Sequence, residues 1–166
     1  MPYIGEQGGL EMAGDRKTAS AQIPCFATAI RKASRHLTQL YDAALAPSGL
    51  RSTQFTILAE IGLRSEAPPT MAELAHGLVM DRSALGHNLR PLQRAGLIAL
   101  RESDRDLRRR HVVLTAKGKA KFREASQLWQ RAQDRFAEIY GAAAGARLRA
   151  TMLGIAHDAR LARLAD

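Results

Sequence analysis

One cysteine, Cys25, stands in the whole 166-residue chain. A single thiol excludes an internal disulfide framework and any zinc site built from several cysteines. Long apolar runs are missing as well. No stretch approaches the ~18 continuous apolar residues of a membrane span, and the opening MPYIGEQGG lacks the basic-then-apolar order of a secretion signal. A cytoplasmic protein with no membrane partner is expected. Aromatic residues make up only 5% of the chain, whereas Ala and Leu are plentiful, which together with the helical spacing described below points to a mainly α-helical protein. His36, His76, His87, His111 and His157 have no tight metal-ligand spacing with one another or with Cys25, so no metal is expected. No nucleophile lies beside a base in a known motif, and no glycine-rich phosphate loop follows a strand; neither a catalytic set nor a cofactor is expected.

Basic residues far outnumber acidic ones over one long segment. Between Arg82 and Arg123 there are twelve basic side chains (Arg82, Arg90, Arg94, Arg101, Arg105, Arg108, Arg109, Arg110, Lys117, Lys119, Lys121, Arg123) and three acidic ones (Glu102, Asp104, Asp106). Elsewhere acids and bases balance, so this quarter of the chain carries the whole net charge of +9. Solubility alone does not require such segregation. A concentrated patch attracts a polyanion, and nucleic acid is the expected partner.

The chain length suits one compact unit with a core. Residues 1–20 hold Gly5, Gly8, Gly9 and Gly14 among polar residues without an apolar period and are expected to be a mobile tail. From Ile23, apolar residues recur at three and four (Phe26, Ile30, Ala33, Leu37, Leu40, Ala44), predicting a long amphipathic helix that stops near Pro47 and Gly49. A second helix is predicted over Ser52 to Leu63, with Phe55, Leu58, Ala59 and Gly62 on one side and a Pro68-Pro69 break after it. Thr70 and Glu73 have capping-box spacing and open a short helix to about His76, with Gly77 as its expected left-handed stop. Asp81 or Arg82 opens a fourth helix, with a buried stripe of Leu85, Leu89 and Leu92 and an end at Gly96. Two helices joined in this way form a helix-turn-helix.

Leu97–Arg101 and His111–Thr115 are strand-length, and the polar segment between them reads as a hairpin tip. Such a ribbon beside a helix-turn-helix makes a winged helix. Thr115 is placed to cap a long fifth helix, with Phe122, Ala125, Trp129, Ala132, Phe136 and Ile139 in helical period as far as Gly141. A last helix is predicted through Leu148, Met152, Ile155 and Ala159. The expected divisions are residues 1–20 as a tail, 21–50 as an N-terminal dimerisation helix, 51–115 as a winged helix-turn-helix lobe and 116–166 as C-terminal dimerisation helices. The terminal helices have more apolar face than one lobe can cover, and two-fold pairing into a homodimer would bury the rest.

With its leucines turned inward, the fourth helix presents Arg82, Ser83, Gly86, His87 and Arg90 outward. An α-helix fits the major groove of duplex DNA, where each base pair shows a distinct donor and acceptor pattern. Gly86 costs roughly 1 kcal/mol against alanine in a helix; close approach to DNA would offset that, as would close packing of a neighbouring helix. Pro91 is expected to kink the helix near His87 and leave a curved or broken end. On the wing, Arg105, Arg108, Arg109 and Arg110 can follow the phosphate backbone and insert one guanidinium into a narrow minor groove. Asp106 either holds an arginine in a fixed rotamer or simply forms the turn.

At this point the chain resembles the MarR family of bacterial transcription regulators. The resemblance rests on GLRSTQFTILAEI (Gly49 to Ile61), TMAELAHGLVMDRSALGHNLRPLQRAGLI (Thr70 to Ile98) and DLRRRHVVLTAKG (Asp106 to Gly118), and it covers about Ile23 to Leu164. It implies a two-fold dimer of intertwined terminal helices, each subunit presenting a winged helix to half of a palindromic operator on double-stranded DNA. Arg108 then matches the minor-groove arginine of the wing, Asp106 its partner, and Ser83 to Arg90 the recognition helix.

The resemblance extends to an effector. Family members bind phenolic or aromatic acids between the dimer helices and the DNA-binding lobe, and Arg35, His36 and Tyr41 are candidates to line such a pocket. The N-terminal helix is also similar to that of the family's organic-peroxide sensors, but aligning Ser34-Arg35, Thr38 and Tyr41 puts Ala27 at their cysteine position. Cys25 lies about 200° away around the helix, from 3.6 residues per turn. Its place near a helix N-terminus favours a thiolate, although a lone helical cysteine more often packs as a small apolar group. The expected function is a sequence-specific regulator, most simply a repressor released by a ligand or oxidant. The alternatives are a sequence-indifferent DNA-packaging protein and a thiol-based peroxide-handling enzyme using Cys25.

Overall fold

The computed structural model describes residues 25–102 and 110–163. The tail and most of the wing, including Arg105, Asp106, Arg108 and Arg109, lie outside the described residues. Helix α1 spans Phe26–Leu45 with Cys25 as its N-cap, and a 3₁₀ turn, Ala46–Ser48, ends it. The corner is closed by polar contacts rather than packing alone. Ser48 Oγ donates to the Leu45 carbonyl and accepts from Leu50 N–H, Gly49 takes a φ of 74°, and Asp42 accepts a 2.6 Å bond from Ser52 N–H at the start of the next helix. Hydrogen bonding to the Ser52 side chain, aided by that backbone bond and by Arg51, holds the Asp42 carboxyl below its ordinary value.

Helix α2 (Ser52–Leu63) lies in the middle of the core. Phe55 and Leu58 are buried as expected, but so are Ile57 and Ile61, because α1, α4, α5 and the sheet surround this helix rather than flanking one side. Pro69 follows as a fully buried residue. Helix α3 (Met71–Gly77) begins with the capping box: Thr70 Oγ1 accepts from Glu73 N–H, and the Glu73 carboxylate accepts from Thr70 N–H at 2.7 Å. Each free amide of the first turn that is satisfied this way removes a desolvation cost.

The stop of α3 differs from expectation. Gly77 is the last helical residue, and the left-handed residue is Val79, at φ 51°. Gly77 instead packs closely on α2: a Cβ there would sit 3.0 Å from both the Arg64 guanidinium and the Glu60 carboxylate, which pair with each other. The left-handed turn at a β-branched residue costs roughly 1–2 kcal/mol. It is held by Val79 N–H to His76 and Met80 N–H to Ala75.

Helix α4 (Arg82–Arg94) is capped by Asp81, whose carboxylate accepts from Ala84 N–H at 2.7 Å. It buries Leu85, Leu89 and Leu92, and Gly96 follows its Ala95 cap at φ 70°. The broken end expected at Pro91 is not found; the helix continues to Arg94, with buried leucines on both sides of the proline fastening it to the core.

Strands β1 (Ile98–Glu102) and β2 (Arg110–Leu114) pair antiparallel, from Ile98 opposite Leu114 to Glu102 opposite Arg110. Both lie within one residue of the expected ranges. Helix α5 (Ala116–Tyr140) is capped by Thr115, and α6 spans Ala142–Ala156. The last predicted helix divides at His157–Asp158, so Ala159 begins a separate short helix, α7 (Ala159–Ala162), capped by the Asp158 carboxylate. The architecture is a winged helix-turn-helix (α3, α4, β1, β2) with long helices at both ends. Among the described residues no helix is long and apolar enough to cross a membrane.

Candidate nucleic-acid interface and effector pocket

The same leucine stripe that fixes α4 to the core decides which residues it exposes. Arg82, Ser83, His87 and Arg90 are all exposed, the last three at intervals of four and three, which places them on one helical face. Gly86 is partly buried, yet nothing beyond its own turn of helix backbone lies within 4 Å of where its Cβ would be. Close packing by a neighbouring helix therefore does not explain this glycine. The Asn88 side chain turns back to the Ala84 carbonyl at 2.8 Å and takes no part in the exposed face.

At the root of the wing Arg110 is exposed opposite Glu102. The next residue, His111, is a contact that the sequence did not signal. Its Nδ1 lies 2.6 Å from the Pro68 carbonyl, 43 residues earlier, and must donate because a carbonyl only accepts. Val112 N–H bonds the Pro69 carbonyl at 2.8 Å, and Thr70 and His111 form an isolated bridge. These bonds tie the wing to the loop that opens α3, so ribbon and helix-turn-helix present themselves as one piece.

The basic patch is not uniformly available. Lys117 Nζ donates to the Ala95 carbonyl at the end of α4, and Lys121 pairs with Glu124 at 2.8 Å. Arg94, Arg101, Lys119 and Arg123 remain exposed.

A second feature is a cavity of about 680 Å³ between α1 and the lobe. From α1 it is lined by Ile30, Ser34, Leu37, Thr38 and Tyr41 among others. Thr53, Thr56 and Ile57 of α2 form the facing wall, and Leu78 and Met80 bring in the turn that leads to α4. Leu148 and Met152 of α6 close one side. Of the candidates for an effector pocket, Tyr41 lines it; Arg35 and His36 do not, because they are exposed on another part of α1. Cys25 also lies outside the lining, at the helix start. Hydrogen bonding to the Thr28 side chain, aided by Arg31, holds the Cys25 thiol below its ordinary value. Burial pushes the Tyr41 phenol up. Among the described residues no group of three His, Cys, Asp or Glu side chains is placed to hold a metal ion.

These features, a helix-turn-helix with a β-wing rooted on it and long helices at either end, define the class of winged-helix proteins. No family model matches the chain, and no curated protein matches it. Among solved structures, the M. tuberculosis transcriptional regulator MosR in complex with DNA is 38% identical, over 84% of this chain and 98% of that one, with a TM-score of 0.70. The repressor CouR bound to a 23-mer DNA duplex is 25% identical over 80% of this chain and 93% of that one, at a TM-score of 0.72. The apo form of E. coli MarR, 24% identical over 81% of this chain and 98% of that one, has the same fold at a TM-score of 0.65. The chain belongs to the MarR family of transcriptional regulators.

Proposed function

We propose that the protein is a sequence-specific DNA-binding repressor that occupies a palindromic operator as a homodimer. The observation that carries this reading is the exposed face of Ser83, His87 and Arg90 on the second helix of the helix-turn-helix, opposite a stripe of buried leucines. Support comes from the 38% identity to a regulator captured on DNA, over nearly all of that chain. Lys and Arg contacts to phosphate supply affinity, and α4 in the major groove supplies specificity. Arg110, at the root of the wing, extends the contact toward the neighbouring minor groove, and Arg105, Asp106, Arg108 and Arg109 are assigned to the same contact from the sequence alone. The protein acts by binding rather than by catalysis, on cytoplasmic DNA.

The dimer reading rests on apolar surface that the single chain leaves uncovered. Phe26 is 89% exposed and Ile139 79% exposed, and Ile30, Leu153, Ile155 and Leu161 are exposed as well. All six lie on α1, α5, α6 or α7, and pairing of those helices about a two-fold axis would cover them. Release is assigned to a small molecule in the 680 Å³ cavity, which touches both a dimer helix and the Leu78–Met80 turn immediately before the cap of α4. An occupant that favours one setting of that turn changes the spacing of the two recognition helices.

Competition binding tests the proposal. At physiological salt the protein should prefer its own promoter region over random DNA by ~10³ or more. No preference would mean a packaging protein; peroxide turnover that survives Arg108→Ala but not Cys25→Ser would mean a thiol enzyme.

Gly86→Ala gives a narrower check. The open space around Gly86 makes alanine stabilising by roughly 1 kcal/mol. Operator affinity should nevertheless fall, because the new methyl group stands where the duplex approaches. Denaturant midpoint and operator Kd on the same variant measure both, and unchanged affinity would remove Gly86 from the interface.

A further inference from the structure

We propose that the cavity between α1 and the lobe selects an uncharged ligand, apolar with one hydroxyl or carbonyl group, and rejects carboxylates. This rests on the reading of the cavity as the effector pocket. Its volume of about 680 Å³ falls in the range of roughly 300–1,000 Å³ usual for small-molecule sites. Among the described residues that line it there is no lysine, arginine or histidine. The polar groups there are hydroxyls: Ser34 and Thr38 from α1, Ser52, Thr53 and Thr56 from α2, and Tyr41.

A hydroxyl can donate to a neutral oxygen or accept from a neutral hydroxyl, but it cannot neutralise an ion. Taking an unpaired carboxylate out of water is far costlier than taking out a phenol or an ester. The Tyr41 hydroxyl has no hydrogen-bond partner among the described residues, and its phenol is kept protonated by the apolar surroundings, so it is free to bond a neutral polar group. Ser52, on the same wall, receives the Asp42 carboxylate on its backbone N–H. That fixed negative charge next to the cavity opposes a second one. The remaining surface is aliphatic, from Ile30, Leu37, Ile57, Leu78, Met80 and Leu148, and matches a ring or a chain.

The experiment uses the full chain without DNA, so that absence of operator preference would count against the regulator reading and leave this result standing. Calorimetric titration compares two matched pairs at pH 7.5: methyl 4-hydroxybenzoate with 4-hydroxybenzoate, and 1-octanol with octanoate. In at least one pair the neutral member should bind at least about tenfold more tightly, the scale set by leaving a charge unpaired. Thr38→Arg, at an exposed lining position with no side-chain hydrogen bond, adds a cation to the wall and should narrow or reverse that ratio. Equal or tighter binding of the acids by the native chain would overturn the proposal. So would failure of all four compounds to bind, which would leave the groove to a second copy of the chain. A preference that Thr38→Arg does not move would locate the binding elsewhere and overturn it too.

Discussion

Gly118→Ala is expected to destabilise the protein by about 3 kcal/mol, the upper range for forcing an atom into a filled site. The sign is the informative part, because alanine in place of a helical glycine ordinarily gains roughly 1 kcal/mol. Gly118 lies in the first turn of α5 and is buried. A Cβ there would stand 1.9 Å from the Leu97 carbonyl oxygen and 2.9 Å from its carbon. Backbone cannot swing aside as a side chain can. The same carbonyl accepts Thr115 N–H at 3.0 Å, while Thr115 Oγ1 donates to the Gly96 carbonyl at 2.7 Å and accepts from Gly118 N–H at 3.0 Å. To admit one methyl group, α5 must move off the start of β1 and break this knot, which joins the wing, the end of α4 and the long helix. A fall in melting temperature of roughly 6–12 °C should follow, at 2–4 °C per kcal/mol for a chain of this size. Gly86→Ala in the same assay, with a rise, is the internal comparison. A Gly118→Ala protein as stable as its parent would mean that the close approach of α5 to β1 is absent in solution.

How much of this was legible beforehand divides along physical lines. Local signals carried well: Thr70 with Glu73, Asp81 before α4 and Thr115 before α5 each cap the helix the spacing assigned to them. A side chain that bonds an amide three residues on needs no knowledge of the rest of the fold. The leucine stripe of α4 was equally readable, and with it the exposed face. Long-range geometry was not. That Gly118 meets Leu97, that His111 bonds Pro68, and that Gly77 leaves room for an ion pair on α2 depend on elements many residues apart. Val79 took the left-handed turn that Gly77 was expected to take because α3 runs through Gly77 and the backbone bonds of Val79 to His76 and Met80 to Ala75 hold the turn beyond it. In the pocket, Arg35 and His36 were attractive as chemistry, but the direction in which α1 turns them is set by its docking on the lobe.

Arg90→Ala is expected to lower operator affinity by about 1–3 kcal/mol, or roughly 5- to 150-fold, while changing binding to random DNA little. Arg90 is exposed one turn beyond His87, and its neighbours Leu89 and Leu92 are buried, so the backbone that carries it is fixed while the guanidinium is free to reach outward. A guanidinium can grip guanine O6 and N7 with two bonds, and the wrong base leaves both unmade. Loss of such a contact relaxes preference at one position of each half-site, which selection of binding sites from random sequence would read as one degenerate base pair per half. Arg108→Ala should behave differently. A wing arginine near the phosphates releases counterions on binding, so its loss should weaken all DNA and reduce the salt dependence by about one unit of slope. The two variants thus separate reading from holding. If Arg90→Ala returned the parent motif from selection, and weakened operator and random DNA alike, α4 would lie along the backbone instead of in the groove, and specificity would have to come from another element.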